Sequence, residues 1–64
     1  MDKLSKRIRV ERERRGLSQQ QLADRAGISR GYLARLETAR QDPTVSTVEK
    51  IARALRIKLA YLFR

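Results

Sequence analysis

Two arginines in the stretch "ISRGYLARLE", residues 28 to 37, have the chemistry and the spacing to bind nucleic acid. If the stretch is a helix, Arg30 and Ala34 are neighbours one turn apart. Gly31 and Arg35 are related in the same way, so the four side chains share one face, with the apolar side chains of the stretch on the opposite face. An arginine fork matches O6 and N7 of guanine, and small residues beside it let a helix backbone approach DNA closely. The pattern predicts a thin, cationic face that fits the major groove.

The charge balance of the chain also favours a polyanionic partner. Sixteen Lys and Arg residues stand against seven Asp and Glu residues, which gives a formal net charge of +9. Twelve of the sixteen cations are arginine, the side chain that grips a phosphate or a base edge with a planar fork. Such an excess indicates nucleic acid or an anionic membrane surface. The alternative is a very soluble basic surface without a specific partner.

The residue types that are missing exclude several kinds of site. A chain of 64 residues has room for one small core and hardly any for an enclosed catalytic pocket. It contains no cysteine and no histidine, and so lacks thiolate and imidazole metal ligands and the commonest general base. We therefore expect no enzyme activity, no metal, no cofactor and no small-molecule substrate.

Neither end of the sequence has a membrane or export pattern. The beginning, "MDKLSKRIRV", carries charges but no apolar core of a signal peptide. The longest apolar run, from Leu59 to Phe63, is far too short to span a bilayer. The expectation is a cytoplasmic protein without membrane contact.

Glycine, proline and short polar residues divide the chain into short helices. Ser18 followed by Gln21 forms a capping box, and Gly27 can end the helix that the box begins. Ser29 and Thr44 are N-cap residues for two later helices, and the sequence Asp42-Pro43 favours a loop between these. The expected helices cover residues 3–15, 19–26, 30–38, about 45–55 and 58–64.

The apolar residues of these helices recur with a helical period and predict one shared core. Helices 2 and 3, joined by about three residues that include a glycine, form a helix-turn-helix corner. Glu11 also falls near the inner stripe of helix 1, an awkward place unless its head reaches water. The expected inward residues are Leu4, Ile8, Leu22, Ala23, Ala26, Ile28, Leu33, Leu36, Val45, Val48, Ile51, Ala52, Leu55, Leu59, Leu62 and Phe63.

Several short motifs occur together in a characteristic order. They are "LSQ" at 17–19, "LA" at 22–23, "GIS" at 27–29, Glu37 and Pro43. In this order and spacing the chain resembles the Cro/CI-like (XRE) family of bacterial and phage repressors over about residues 4–63. The resemblance implies an all-α fold, a compact five-helix lambda-repressor-like DNA-binding domain with helices 2 and 3 as its helix-turn-helix. Residues 1–64 would then be one domain.

Three positions depart from the pattern of the family. Ala39 and Arg56 stand where a glycine usually follows helices 3 and 4, and Lys58 replaces the usual N-cap serine before the last helix. Each change removes a normal helix-ending or capping feature. We expect the loop after helix 3 and the corner before the last helix to differ from those of relatives.

The resemblance also implies which residues contact DNA. Helix 3, about residues 30–38, would read the major groove with Arg35 as the firmest candidate for a base contact, whereas Arg30 can contact bases or phosphate. Gln19 would contact the DNA backbone or simply assist Ser18 in capping, and Tyr32 could be half-buried packing instead of a phosphate contact. The full set of expected DNA-binding residues is Gln19, Ser29, Arg30, Gly31, Tyr32, Ala34, Arg35, Arg40 and Thr44.

Arg12 and Glu37 are two charges at positions that should face the interior. They align with a partly buried arginine–glutamate bridge that, in the family, joins helix 1 to helix 3. The resemblance therefore implies a structural ion pair and not a DNA contact. The alternative is two unrelated surface charges.

The function implied by the resemblance is sequence-specific DNA-binding transcription regulation, above all repression. The protein would bind double-stranded DNA as a homodimer, with the exposed part of the last helix, around residues 61–64, as the dimer patch, and would be nucleoid-associated when bound. The alternative is an antitoxin-type interaction module that neutralises a toxin and also binds its own operator. A membrane-surface peptide is disfavoured, because the apolar residues lie on several capped helices and not on one long stripe.

Overall fold

The computed structural model describes residues 3–63, and within them the chain is all-helical, with no strand. The prediction of an all-α fold is confirmed. The helices are α1 (Lys3–Arg14), α2 (Gln19–Ala26), α3 (Arg30–Glu37) and α4 (Val45–Leu55), followed by a short 3-10 helix (Leu59–Phe63).

The prediction of five α-helices is wrong, because the last segment is a 3-10 helix and not an α-helix. Its first bond runs from the Tyr61 N–H to the Lys58 carbonyl at 3.0 Å, a spacing of three residues. An α-helix of only five residues would leave most of its N–H groups unbonded, whereas the tighter 3-10 pattern bonds them sooner. Lys58, which stands in the N-cap position, has no side-chain acceptor to compensate.

One apolar core lies between the helices and confirms most of the predicted inward residues. The core side chains come from all four α-helices, the α1–α2 turn and the 3-10 helix. They are Ile8, Leu17, Leu22, Ala23, Ala26, Leu33, Leu36, Val48, Ile51, Ala52, Leu55 and Leu62.

Two predicted core residues are instead on the surface. Val45 is 72% exposed and Phe63 is 61% exposed. Val45 is the first residue of α4 and Phe63 the last of the 3-10 helix, so both lie beyond the part of the core that the other helices cover. The two side chains line the same shallow depression, together with Pro43 and Leu59.

The N-termini of three α-helices are capped as the sequence predicts. The Ser18 hydroxyl accepts from the Gln21 N–H at 3.0 Å, and the Gln21 side chain accepts from the Ser18 N–H at 2.8 Å. Ser29 caps α3 and Thr44 caps α4 in the same manner, each by accepting the N–H three residues ahead. These bonds satisfy donors that a helix cannot satisfy internally.

All four α-helices end in the same local hydrogen-bond pattern, a Schellman motif. After each helix one residue takes a left-handed conformation, and the next residue donates its N–H to a carbonyl five residues back. In α1 and α2 the left-handed residue is a glycine. In α3 and α4 it is Ala39 (φ 61°) and Arg56 (φ 59°), so these ends keep the conformation without the residue that favours it.

Glu11 is almost completely buried, 2% exposed, and does not reach water. Its carboxylate accepts from Arg15 Nη1 at 2.6 Å and lies 3.4 Å from Arg14 and 3.5 Å from Arg7. Burial alone would raise the pKa of Glu11, but the hydrogen bond from Arg15 and the charges of Arg14 and Arg15 together lower it below 4.5. Arg15 also donates from Nε to the last carbonyl of α4, that of Leu55, at 2.9 Å, and so ties α1 to the end of α4.

Candidate nucleic-acid interface

The outer face of α3 is thin and cationic, as the spacing of its residues predicts. Arg30, Gly31 and Arg35 are exposed and Ala34 is half-buried. The opposite face of the same helix is held in the core, where Leu33 is 0% and Leu36 is 1% exposed. One side of α3 is therefore fixed to the core, and its other side faces the solvent.

The side chain of Arg35 lies back along α3 over Gly31. A Cβ atom placed on Gly31 would meet Arg35 Nη1 at 3.6 Å, an ordinary contact distance, and Gly31 is not among the residues with positive φ. The folded protein thus has no need for glycine at this position. A requirement for glycine here has to come from something that approaches the helix from outside.

Tyr32 is half-buried and packs against the core, with its ring 6.0 Å from the Arg35 guanidinium. The sequence leaves two roles open for Tyr32, a phosphate contact and packing. In this structure its side chain packs against the core. The ring also flanks Arg35, and a cation beside an aromatic face is weakly stabilised there.

Gln19 begins α2 and connects the candidate interface to the interior. Its side-chain Nε2 donates to Glu37 Oε1 at 3.1 Å. The Gln19 side chain is therefore oriented by a carboxylate that is 2% exposed. Beside it, the first-turn N–H groups of α2 and the positive end of the helix dipole are the features that bind phosphate in proteins.

Arg12 and Glu37 form a two-pronged ion pair between α1 and α3. Arg12 donates from Nε to Glu37 Oε2 at 2.8 Å and from Nη2 to Glu37 Oε1 at 3.0 Å. A third donor, Nη1, reaches the Leu17 carbonyl at 2.8 Å in the turn before α2. The hydrogen bond to Glu37 raises the pKa of the Arg12 guanidinium, although burial alone would lower it. One arginine thus fixes three segments relative to each other: α1, the α1–α2 turn and the end of α3.

Arg40 and Thr44 lie on the segment between α3 and α4, and both are exposed. The N–H of Arg40 donates to the Arg35 carbonyl at 2.9 Å as part of the motif that ends α3, so its backbone position is set by the helix. At the equivalent place in the other three motifs stand Leu17, Ile28 and Ile57, all at least partly buried. Only in α3 does the motif end in a cation.

Buried side-chain polar atoms in residues 3–63 all have hydrogen-bond partners. Over the same residues, no cluster of three acidic, histidine or cysteine side chains with the geometry of a metal site is found. No described helix has both the length and the apolar character that crossing a membrane requires.

A sequence profile of the helix-turn-helix family matches residues 8–62. The chain belongs to this family. Its resemblance to XRE-type proteins, read from short motifs, is confirmed. In this helix-turn-helix domain the motif is formed by α2, the turn of residues 27–29 and α3.

Among curated proteins, the domain is similar to an immunity repressor of Bacillus phage phi105, with 44% identity over 57 residues. The match covers 89% of this chain and 40% of the repressor. The transcriptional regulator SlrR of Bacillus subtilis is 37% identical over 57 residues, which are 88% of this chain and 38% of SlrR. The chain therefore spans about two fifths of the length of these relatives.

Among solved structures, the domain superposes on the restriction-modification controller protein C.AhdI of Aeromonas hydrophila with a TM-score of 0.94 and 34% identity. That match covers 95% of this chain and 92% of C.AhdI. The biofilm regulator SinR, whose DNA-binding domain is known from Bacillus subtilis, was solved in complex with DNA. It matches with a TM-score of 0.90 and 29% identity over 95% of this chain and 98% of that chain.

Proposed function

We propose that the chain is one DNA-binding domain of a transcriptional repressor and reads a specific site with α3 in the major groove. The observation that carries the proposal is the exposed face of α3, where two arginines flank small residues on a helix that is held only from its other side. A phage repressor and a DNA-bound regulator among the similar proteins support this function. Helix-turn-helix domains dock the corresponding helix in this way.

The positions of the side chains support the following set of proposed contacts. Arg35 binds a base edge, and Arg30 binds a base or a phosphate at the N-terminus of α3, where Ser29 is the N-cap. Gly31 and Ala34 allow the α3 backbone to approach. The DNA backbone is bound on one side by the start of α2 at Gln19, and on the other by Arg40, Thr44 and the start of α4. Tyr32 contributes by supporting Arg35.

We further propose that two copies bind one site as a homodimer. The apolar depression that contains Val45 and Phe63 is a candidate dimer contact, because large apolar side chains that are mostly exposed mark interaction surfaces. Two domains related by a two-fold axis would place their α3 helices about 34 Å apart, one turn of DNA. Arg64, the last residue of the dimer patch expected from the sequence, lies outside the described residues.

The test is selection of binding sites from a random pool of duplex DNA with the purified chain, at low and at high salt. Nonspecific phosphate binding falls steeply with salt, so a specific site is one that stays enriched. Enrichment of a two-fold symmetric site supports a dimeric regulator. Absence of enrichment at both salt concentrations would contradict the proposal and point to a protein partner.

A variant then tests the reading helix itself. Arg35→Ala is expected to weaken binding to the selected site by about 1–3 kcal/mol and to relax the preference at one base pair. Arg53→Ala removes the same charge from an exposed position of α4 and serves as the control. If Arg35→Ala weakens binding to every sequence equally, Arg35 is a phosphate contact and the assignment fails.

A further inference from the structure

Much of the positive charge of this domain lies on α1, which is not the reading helix. Residues 3–15 hold seven of the sixteen cations and two carboxylates, whereas α3 and the residues directly after it hold three cations. Both carboxylates are already beside arginines. Glu11 is surrounded by three of them, and Glu13 lies 3.9 Å from Arg12. The cations of α1 therefore leave a strongly positive surface that the proposed contacts with DNA do not use.

One part of this surface is a groove between the end of α1 and residues 57–61. Its floor is formed by Ile57, Ala60 and Tyr61, and its volume is about 440 Å³. The Tyr61 ring lies against α1, 5.3 Å below the Arg7 guanidinium. The other lining residues are three cations, Arg14, Arg15 and Lys58, and the buried Glu11, whose carboxylate is paired with both arginines. A mostly apolar floor therefore lies within a rim of net positive charge.

The groove is lined by none of the residues that are proposed to contact DNA. Arg12 points toward α3, where it is paired with Glu37. Arg14, two residues later, lies about 200° further round the same helix and is 62% exposed. Arg14 thus points away from α3, whereas Arg15 reaches the end of α4, where it is bonded to the Leu55 carbonyl.

We infer that this groove docks an acidic amphipathic helix of another protein. Apolar side chains of such a helix, spaced one turn apart, fill the floor, and carboxylates on either side of them meet Arg14 and Lys58. This is the helix-in-groove mode of recognition, with charge complementarity at the rim. Arg15 has a supporting part, because its guanidinium is bonded to Glu11 and to the Leu55 carbonyl.

Two other occupants fit the groove less well. A nucleic-acid duplex would match the rim, but its charged backbone gains nothing from an apolar floor below the cations. A second copy docked groove to groove would bring another cationic rim against the first. The inference does not depend on the proposed DNA-binding function, since it concerns residues that are not among the proposed DNA contacts.

The test uses the full chain labelled with ¹⁵N and a synthetic helical peptide of about five turns, with leucines along one face and glutamates on both flanks. The expected result is a set of saturable chemical-shift changes at residues 57–61 and at the end of α1, with little change in α3. A control peptide of equal composition, with its leucines scattered around the helix, is expected to bind at least about tenfold more weakly. Equal binding of both peptides would show that the surface responds to charge alone and would overturn the inference.

Matched variants localise the site. Lys58→Glu, on the rim, is expected to weaken peptide binding at least about tenfold, whereas Lys50→Glu makes the same charge change on an exposed position of α4 and leaves it within about twofold. Ala60→Glu, which places a carboxylate on the floor, is expected to act like Lys58→Glu. All three positions are exposed or half-exposed, and thermal melting checks that each variant folds.

The competing occupants give different outcomes. Random duplex DNA that shifts the groove residues as strongly as the peptide, or groove shifts that appear on concentrating the protein alone, would overturn the inference in favour of nucleic acid or self-association. Arg35→Ala is expected to retain peptide binding in full. A failure of peptide binding at the groove can therefore be distinguished from a failure of DNA recognition.

Discussion

At the scale of single residues, Gly31 is a position where the needs of the free protein and of the proposed complex differ. The free protein has space for a Cβ there, 3.6 Å from the nearest atom, and the backbone is ordinary helix. Glycine in a helix is less favourable than alanine by up to about 1 kcal/mol. The residue that destabilises the helix is the one that would let DNA come nearest.

Gly31→Ala is therefore expected to stabilise the free protein by up to about 1 kcal/mol and to weaken its binding to DNA. Urea denaturation measures the first effect, and titration with the selected DNA site measures the second. The control is Ala34→Gly, the reverse change one turn along the same face, which should destabilise the protein. A Gly31→Ala protein that is more stable and binds DNA as well as before would show that close approach at this position plays no part.

At the scale of helices, the ends of α3 and α4 hold strain that a glycine would remove. Ala39 and Arg56 adopt the left-handed conformation, with φ of 61° and 59°. Side chains with a Cβ disfavour this region, and only the bonds of the surrounding motif hold them in it. Both helices therefore end in the left-handed conformation even without glycine, and the absence of glycine costs conformational energy.

Arg56→Gly and Ala39→Gly are each expected to stabilise the protein by up to about 1 kcal/mol, partly offset by the greater freedom of glycine in the unfolded chain. For a domain of this size that corresponds to a rise in melting temperature of several degrees, roughly 4–8 °C per kcal/mol. Arg53→Gly is the matched control, since it puts the same substitution inside α4, where it should destabilise by about 1 kcal/mol. Destabilisation by Arg56→Gly as well would mean that the Arg56 side chain contributes more than its conformation costs.

The features of the helices that could be predicted from the sequence are those that depend on residues close together in the chain, such as helix caps and helix ends. The capping box of Ser18 and Gln21 and the stop at Gly27 act within a few residues, and the structure has them as expected. Val45 and Phe63 follow the apolar period but are exposed, because whether a residue at an element end is covered depends on distant segments. The absence of a capping side chain at Lys58 was visible in the sequence, but the 3-10 form of the last helix was not, because it also depends on how short that segment is.

The candidate interface likewise has features that could be predicted from the sequence and features that could not. Exposure of Arg30 and Arg35 could be predicted, since it follows from the helical period of α3. The hydrogen bond from Gln19 to Glu37 could not be predicted in this way, because it joins residues 18 apart and needs the packing of α2 on α3. The burial of Glu11 did have a sequence signal, namely arginines four residues before it and three and four residues after it on one helix.

At the scale of the whole molecule, stability depends on pH through Glu11. Its pKa is lowered in the folded protein, so ionised Glu11 stabilises the fold above about pH 4.3, the value of an unfolded glutamate. As pH falls through the lower folded value, the carboxylate is protonated and that contribution is lost. The three arginines around it are then left with fewer opposite charges.

Glu11→Gln is expected to destabilise the protein at pH 7 by about 1–3 kcal/mol, because a buried acceptor for charged donors is weakened. The difference in free energy of unfolding between the variant and the original protein should become smaller below about pH 4.3. Urea unfolding at a series of pH values measures this difference. The control is Glu13→Gln, a change at an exposed glutamate of the same helix. A gap that stays constant down to low pH would show that the charge of Glu11 is not what stabilises the fold.

The repeated way in which the helices end has a kinetic consequence. Every α-helix stops through bonds that span at most five residues, three of them also start through such bonds, and the connections between them are short. Helix boundaries of this kind need no distant segment to define them, and the short connections leave little loop-closure entropy to oppose packing. Small helical domains dominated by such local contacts fold in microseconds to milliseconds. A chain built like this one would reach its folded state far faster than a ribosome adds its next residue.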